Sequence, residues 1–284
     1  MRSPDRRVLR LVLGVVAAAL VGTVGVLIVR APVPATSGPS GAALTGPESA
    51  PHSHVAVASS GAPVPVGGTA AAAGGYSLVV SGTDPFTFHI QGPDGAPVTR
   101  YAIVHDKPLH LIVVRKDLSG YQHLHPVMAP DGTWTAALTL AAPGPYRAFV
   151  DFTAVDAAGR QNAVVLGADV PADTTAGPAP ASTVDPLTVE HEGSLTVGVA
   201  EPLLFRVTRA GRPVTLQPYL GAYGHLTMLR ETDLGYLHIH PETALQNGAA
   251  TFWVAAPSTG TFRMYLDVQI DGVVRTFTFP ITVA

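Results

Sequence analysis

The sequence predicts an all-β protein: two tandem β-sandwich domains behind an N-terminal transmembrane helix and a disordered linker. Three observations predict it. Beyond Gly75 no helical periodicity appears, and short runs rich in Val, Thr, Phe, Leu and Tyr alternate with turn signals such as Pro93-Asp94-Gly95, Pro130-Asp131-Gly132 and Ile270-Asp271-Gly272. A 17-residue block, HLIVVRKDLSGYQHLHP at 110–126, recurs without a gap as HLTMLRETDLGYLHIHP at 225–241 with eight identities, the mark of a duplicated module. An uncharged run from Leu11 to Val29 follows Arg2, Arg6, Arg7 and Arg10.

Taken in order, residues 1–30 read as a signal anchor. Nineteen uncharged residues make a helix of about 28 Å, close to a hydrocarbon core of roughly 30 Å. A secretory apolar region is usually shorter, about 7–15 residues. The membrane is therefore the expected partner of residues 11–29, with the arginine excess holding the N-terminus in the cytoplasm and the body outside it. The alternative is secretion after cleavage near Val33-Pro34-Ala35. Residues 31–75 are chiefly Ala, Pro, Ser, Thr, Gly and Val with Glu48 as the one formal charge. Such a stretch buries too little apolar surface to offset its ordering entropy, so it reads as a tether, and His52 and His54 as histidines of a flexible tail.

Strands are expected near 77–81, 86–90, 108–115, 121–125, 133–140, 145–154 and 163–170, forming a first repeat over 76–171. A Pro/Ala/Thr-rich linker, 172–185, leads to a second repeat over 186–284. Beyond the shared block, YRAFVDF at 146–152 lies over FRMYLDV at 262–268, matching Arg147 to Arg263 and Asp151 to Asp267.

Charge and composition exclude several functions. The chain carries −3 overall, but residues 1–30 hold five arginines against one aspartate, which leaves −7 on the body. An acidic body cannot release counterions from a phosphate backbone, so nucleic-acid binding is not expected. The absence of Cys removes disulfides, thiolate metal sites and cysteine nucleophiles. Chemistry must come from histidines, carboxylates and hydroxyls.

Six of the eleven histidines fall in the repeated block: His110, His123 and His125, and again His225, His238 and His240. Their apolar neighbours have changed between copies (Ile112 to Thr227, Val113 to Met228) while the histidines have not. On a strand, His-x-His puts two rings on one face, and imidazoles can share an ion at about 2.0–2.1 Å. Whether His110 joins them depends on register. If facing residues of 108–115 and 121–125 add to 235, His110 lies opposite His125 on the His123 face; a slip of one turns it away. The blander reading is a set of hydrogen-bonded structural histidines, with Pro126 and Pro241 ending the ladder. All-imidazole donors suit copper first and zinc second. Met128 and Met228 are candidate thioethers or core filling. His89, His105 and His191 have no counterpart and read as ordinary strand or surface residues. Asp151 and Asp267 read as an exposed ion pair with Arg147 and Arg263, or as outer partners of a ligating histidine.

The run LHLIVVRKDLSGYQHLHP, with PDGTW and PGPYRAFVDF, resembles exported actinobacterial-type tandem β-sandwich proteins with an HLHP motif, loosely similar to YtkA-like and CopC-like copper-associated modules. The resemblance covers about residues 77–284. It implies an immunoglobulin-like sandwich outside the membrane and raises the expectation of copper. The N-terminal histidine of the CopC-like pattern has no place here. The function expected is an extracytoplasmic, membrane-tethered metal buffer or carrier, with a non-catalytic envelope scaffold as the alternative. No general base or paired carboxylate recurs in both copies, so an enzyme is not expected.

Overall fold

The computed structural model describes residues 66–140, 142–170, 186–239 and 241–284. The expected anchor, most of the tether and the 172–185 linker lie outside the described residues. Every regular element among the described residues is a strand, and none of them belongs to a helix long and apolar enough to cross a membrane.

The first repeat holds β1 (Ala72–Ala73), β2 (Tyr76–Thr83), β3 (Phe86–Gln91), β4 (Leu109–Arg115), β5 (Gln122–Leu124), β6 (Val127–Met128), β7 (Trp134–Ala136), β8 (Tyr146–Val155) and β9 (Gln161–Val170). They form two antiparallel sheets, β1-β2-β3-β7-β6 and β5-β4-β8-β9. The second repeat holds β10 (Leu187–Glu192), β11 (Ala200–Arg209), β12 (Arg212–Pro213), β13 (His225–Arg230), β14 (Tyr236–Ile239), β15 (Ala250–Ala255), β16 (Gly260–Ile270) and β17 (Val273–Val283). Its sheets are β10-β11-β12, with β15 also on β11, and β14-β13-β16-β17. Between the sheets of each repeat lies a core, around Phe88, Leu111, Val113 and Trp134 in the first and Phe205, Met228, Phe252 and Leu266 in the second. Each repeat is thus β-sandwich-like.

The near-continuous apolar run of β4 has a physical cause. A strand buried on one face alternates, whereas one buried on both does not. Leu109, Leu111 and Val113 face their own core, while Ile112 and Val114 join Phe149, Leu229, Leu234, Tyr236 and Tyr265 in a third cluster where the repeats meet. Two aromatic stacks cross this junction: Tyr121 on Tyr265, centroids 4.1 Å apart, and Tyr236 on Phe149, 5.2 Å apart. Tyr121 corresponds to Tyr236 and Phe149 to Tyr265 in the repeat. The stacks are the same contact with the repeats exchanged, as a two-fold relation between them requires. Each contributes about 0.5–1.5 kcal/mol beyond area burial. Tyr121 Oη also donates to Thr227 Oγ1 (3.1 Å) and Tyr265 Oη to the Leu118 carbonyl (2.7 Å).

One expectation needs correction. Residues 66–75, assigned by composition to the tether, are part of the fold. They carry β1, and Gly67 exchanges backbone hydrogen bonds with Tyr236 (3.1 and 3.0 Å). The side chain of Arg147 donates to the Gly68 carbonyl at 2.7 Å. Backbone hydrogen bonds hold the strap together with one packed valine, Val66, against the second core, too little apolar surface for hydropathy to reveal it. Its glycines allow the approach: a Cβ on Gly67 would stand 2.7 Å from Val165 Cβ, and one on Gly68 2.5 Å from the Phe149 ring.

Candidate metal centre

The register decides which way the histidines face. β4 pairs with β5 through Leu111–Leu124, Ile112–His123 and Val113–Gln122, facing numbers that add to 235. His110 and His123 therefore share the Ile112 face, pointing out of the first core and into the junction between repeats. β13 and β14 repeat the register through Leu226–Ile239, Thr227–His238 and Met228–Leu237. His225 is buried on the corresponding face. The backbone of His238 lies in β14, but its side chain and the whole of His240 lie outside the described residues.

β5 is short because Pro126 cannot donate to a ladder, and the chain leaves for β6 in the opposite sheet. His125 sits in this crossing, next to His123. His110, His123 and His125 each offer a ring nitrogen within 4.8 Å of the others, a group that could hold a metal ion. Their ring centroids are 5.3, 5.1 and 4.9 Å apart. Imidazoles arranged tetrahedrally around one ion, each nitrogen at about 2.05 Å, put their centroids about 5.2 Å apart.

Hydrogen bonds set the tautomers. His110 Nε2 lies 3.2 Å from the Val104 carbonyl, which only accepts, so Nε2 carries a proton. His123 Nδ1 lies 2.9 Å from Asp267 Oδ2; an ionised carboxylate only accepts, so against it Nδ1 carries the proton. The remaining nitrogens, His110 Nδ1 and His123 Nε2, face each other at 3.0 Å. In two neutral rings these would be opposed lone pairs, an arrangement that calls for a cation between them: a shared proton or a metal ion.

The second repeat supplies much of the surroundings. Asp267, on β16, is 2% exposed and also accepts Thr276 Oγ1 at 2.5 Å. The exposed ion-pair reading of the aspartates is therefore incorrect for Asp267. A carboxylate this deep needs partners, and it finds a histidine of the other repeat. The arginines pair elsewhere, Arg147 with Asp169 (2.9 Å) and Arg263 with Glu231 (2.8 Å). His225 Nε2 lies 3.1 Å from the Tyr219 carbonyl, repeating the His110–Val104 contact, and its ring is 6.2 Å from His110 and 5.7 Å from His123. Burial, and secondarily the negative charge of Asp267, holds the Tyr121 hydroxyl well above its ordinary pKa. Burial and then Asp151 do the same for Tyr236. Both stay neutral phenols beside carboxylates contributed by the other repeat.

His105, read as ordinary, lies in this cluster with its ring 5.4 Å from His225. It occupies the Val104–Lys107 turn, where His105 and Asp106 both have positive φ. The second copy builds the same turn at Tyr219–Ala222 with Leu220 and Gly221. Comparing copies hid His105, because its counterpart is a leucine; its place five residues before His110 was the available signal. His191 stacks on Phe279 (5.5 Å) away from the site. Met228 fills the second core and Met128 packs against the first, so neither thioether joins the histidines.

Fold and site together define a tandem pair of β-sandwich-like repeats with an imidazole cluster buried where they meet. The chain belongs to the DUF8832 family, described as a domain of unknown function, whose model matches residues 65–169 and again 182–284. No curated protein matches it. Similar solved structures include the S-layer protein rSbsC(31–844), 14% identical over 70% of this chain with a TM-score of 0.20. A Parabacteroides merdae β-glucuronidase is 8% identical over 70% of this chain, with a TM-score of 0.19. The chain spans only 22% of the length of each. The D00-D0 domain of intimin is 12% identical over 78% of this chain and 96% of its own, with a TM-score of 0.21. At such scores none of them bears on function.

Proposed function

We propose that the protein binds a transition-metal ion through His110, His123 and His125, copper first and zinc second, as an extracytoplasmic buffer or carrier tethered by residues 11–29. The observation that carries this reading is the pair of nitrogens left by the tautomers, 3.0 Å apart inside a ring of three imidazoles. A metal ion would take the proton's place there. With no thiolate available, borderline cations suited to imidazole are favoured, and Cu(II) binds most tightly among them. The fold is of the immunoglobulin-like type in this reading, akin to YtkA-like and CopC-like modules. His225, His238 and His240 are the second ligand set by sequence repetition. Binding rather than catalysis is proposed because the carboxylate nearest the triad already positions a histidine.

The test is metal analysis of the full-length chain after exposure to Cu²⁺ or Zn²⁺ and desalting, beside a His123→Ala/His125→Ala variant. The wild type should retain an ion that the variant loses from the first site. A wild type that retains neither ion would refute the proposal and leave a cluster of structural histidines.

A further inference from the structure

We infer that the second repeat completes the metal site, with Asp267 as the positioning residue for His123, so that a bound ion clasps the two repeats together. The inference rests on the metal reading of the triad and adds what governs its affinity.

All three triad histidines come from the first repeat, yet the partner of His123 Nδ1, Asp267 Oδ2 at 2.9 Å, comes from the second, 144 positions away. His123 and Asp267 side chains are 4% and 3% exposed, so water hardly competes for this bond. The carboxylate is fixed in turn. Its other oxygen accepts from Thr276, its partner on β17, and on the opposite side β16 pairs it with His225 of β13. A carboxylate that accepts the Nδ1 proton sets the tautomer that leaves Nε2 as donor to the ion and orients the ring.

The consequence is reciprocal. If docking of the second repeat improves the triad's affinity, ion binding must strengthen docking by the same factor. The junction is suited to carry such coupling, because Tyr121 of the same hairpin stacks on Tyr265, two residues from Asp267.

The experiment titrates the full-length wild type and Asp267→Asn with Zn²⁺ and with Cu²⁺ against a chromophoric chelator. Asparagine keeps the shape and an accepting oxygen but loses the charge, and affinity should fall about 10–100-fold. The Cu²⁺ electron paramagnetic resonance spectrum should shift with it, which altered packing far from the ligands would not cause. A second measurement needs only the wild type: amide hydrogen exchange with and without Zn²⁺. Protection should extend to residues 260–270 as well as 104–126. Unchanged affinity in Asp267→Asn, or protection confined to 104–126, would overturn the inference while leaving the metal reading intact. Should the variant fail to fold, the exchange result decides alone. A wild type that binds neither ion overturns both ideas, and does so before any substitution is made.

Discussion

Replacing Gly68 by alanine tests the strap and the junction together. Gly68 has φ +70°, a conformation costing an L side chain roughly 1–2 kcal/mol. The new Cβ would meet Phe149 Cδ1 at 2.5 Å and Cε1 at 2.9 Å. Phe149 has little room to yield: it is fully buried, stacked on Tyr236, with the Arg147 guanidinium 5.6 Å above its ring. Overpacking of this kind costs about 1–3 kcal/mol. Release of the strap limits the damage, because it sacrifices chiefly the Gly67–Tyr236 pair, the Gly68–Val165 bond and the Arg147–Gly68 contact, each worth about 1 kcal/mol net. The expected loss is therefore about 2–4 kcal/mol. Gly95→Ala is the control, since Gly95 has φ +77° and no atom lies within 4 Å of where its new methyl group would stand; it should lose only about 1 kcal/mol from backbone strain. Denaturant unfolding followed by tryptophan fluorescence reads both repeats, through Trp134 in the first and Trp253 in the second. Equal losses in the two variants would refute the packing argument and return residues 66–75 to the tether.

Other expectations concern the site and its surroundings. Cu²⁺ or Zn²⁺ at a hundredfold excess over Kd should stabilise the wild type by about 2.7 kcal/mol, read as a rise in thermal midpoint that His123→Ala/His125→Ala reduces. Protons compete with an ion for imidazole nitrogens, so apparent affinity should fall towards acid, measurable by chelator competition. Alkaline behaviour follows from the phenols. Burial pushes Tyr101 up to about 12 and holds Tyr121 and Tyr236 well above 10. The folded state thus keeps protons that the unfolded state loses near pH 10. Stability is unaffected below that pH and declines above it, through about pH 12 for Tyr101, by about 1.4 kcal/mol per unit for each such phenol. Phenolate absorbance rising before unfolding at all eight tyrosines would contradict this. Tyr265→Phe removes the bond to the Leu118 carbonyl and should cost about 0.5–1.5 kcal/mol in equilibrium unfolding.

Much of the first repeat was legible because strand signals are local. The expected 86–90 and 163–170 strands appear as β3 and β9, Phe86–Gln91 and Gln161–Val170. The expected 133–140 strand shrinks to Trp134–Ala136. The strap escaped because backbone bonds hold it. His105 escaped because only one copy has it. Asp267 was visible as a repeated residue, but its burial depended on a neighbour that no local pattern names.

By itself the sequence determined the all-β class, the duplication and the six histidines set in two matching triads, because alternation, turn residues and repeated spacing are properties of a few neighbouring positions. It also excluded thiolate ligands, since the composition holds no Cys. Only tertiary structure decided which way the triad faces. A one-residue change of register would have turned His110 into the first core, and the observed register turns it towards the second repeat. The partner of His123, 144 residues away, follows from two sheets packing face to face, an arrangement set by the whole surface of each repeat and not by any segment of the chain.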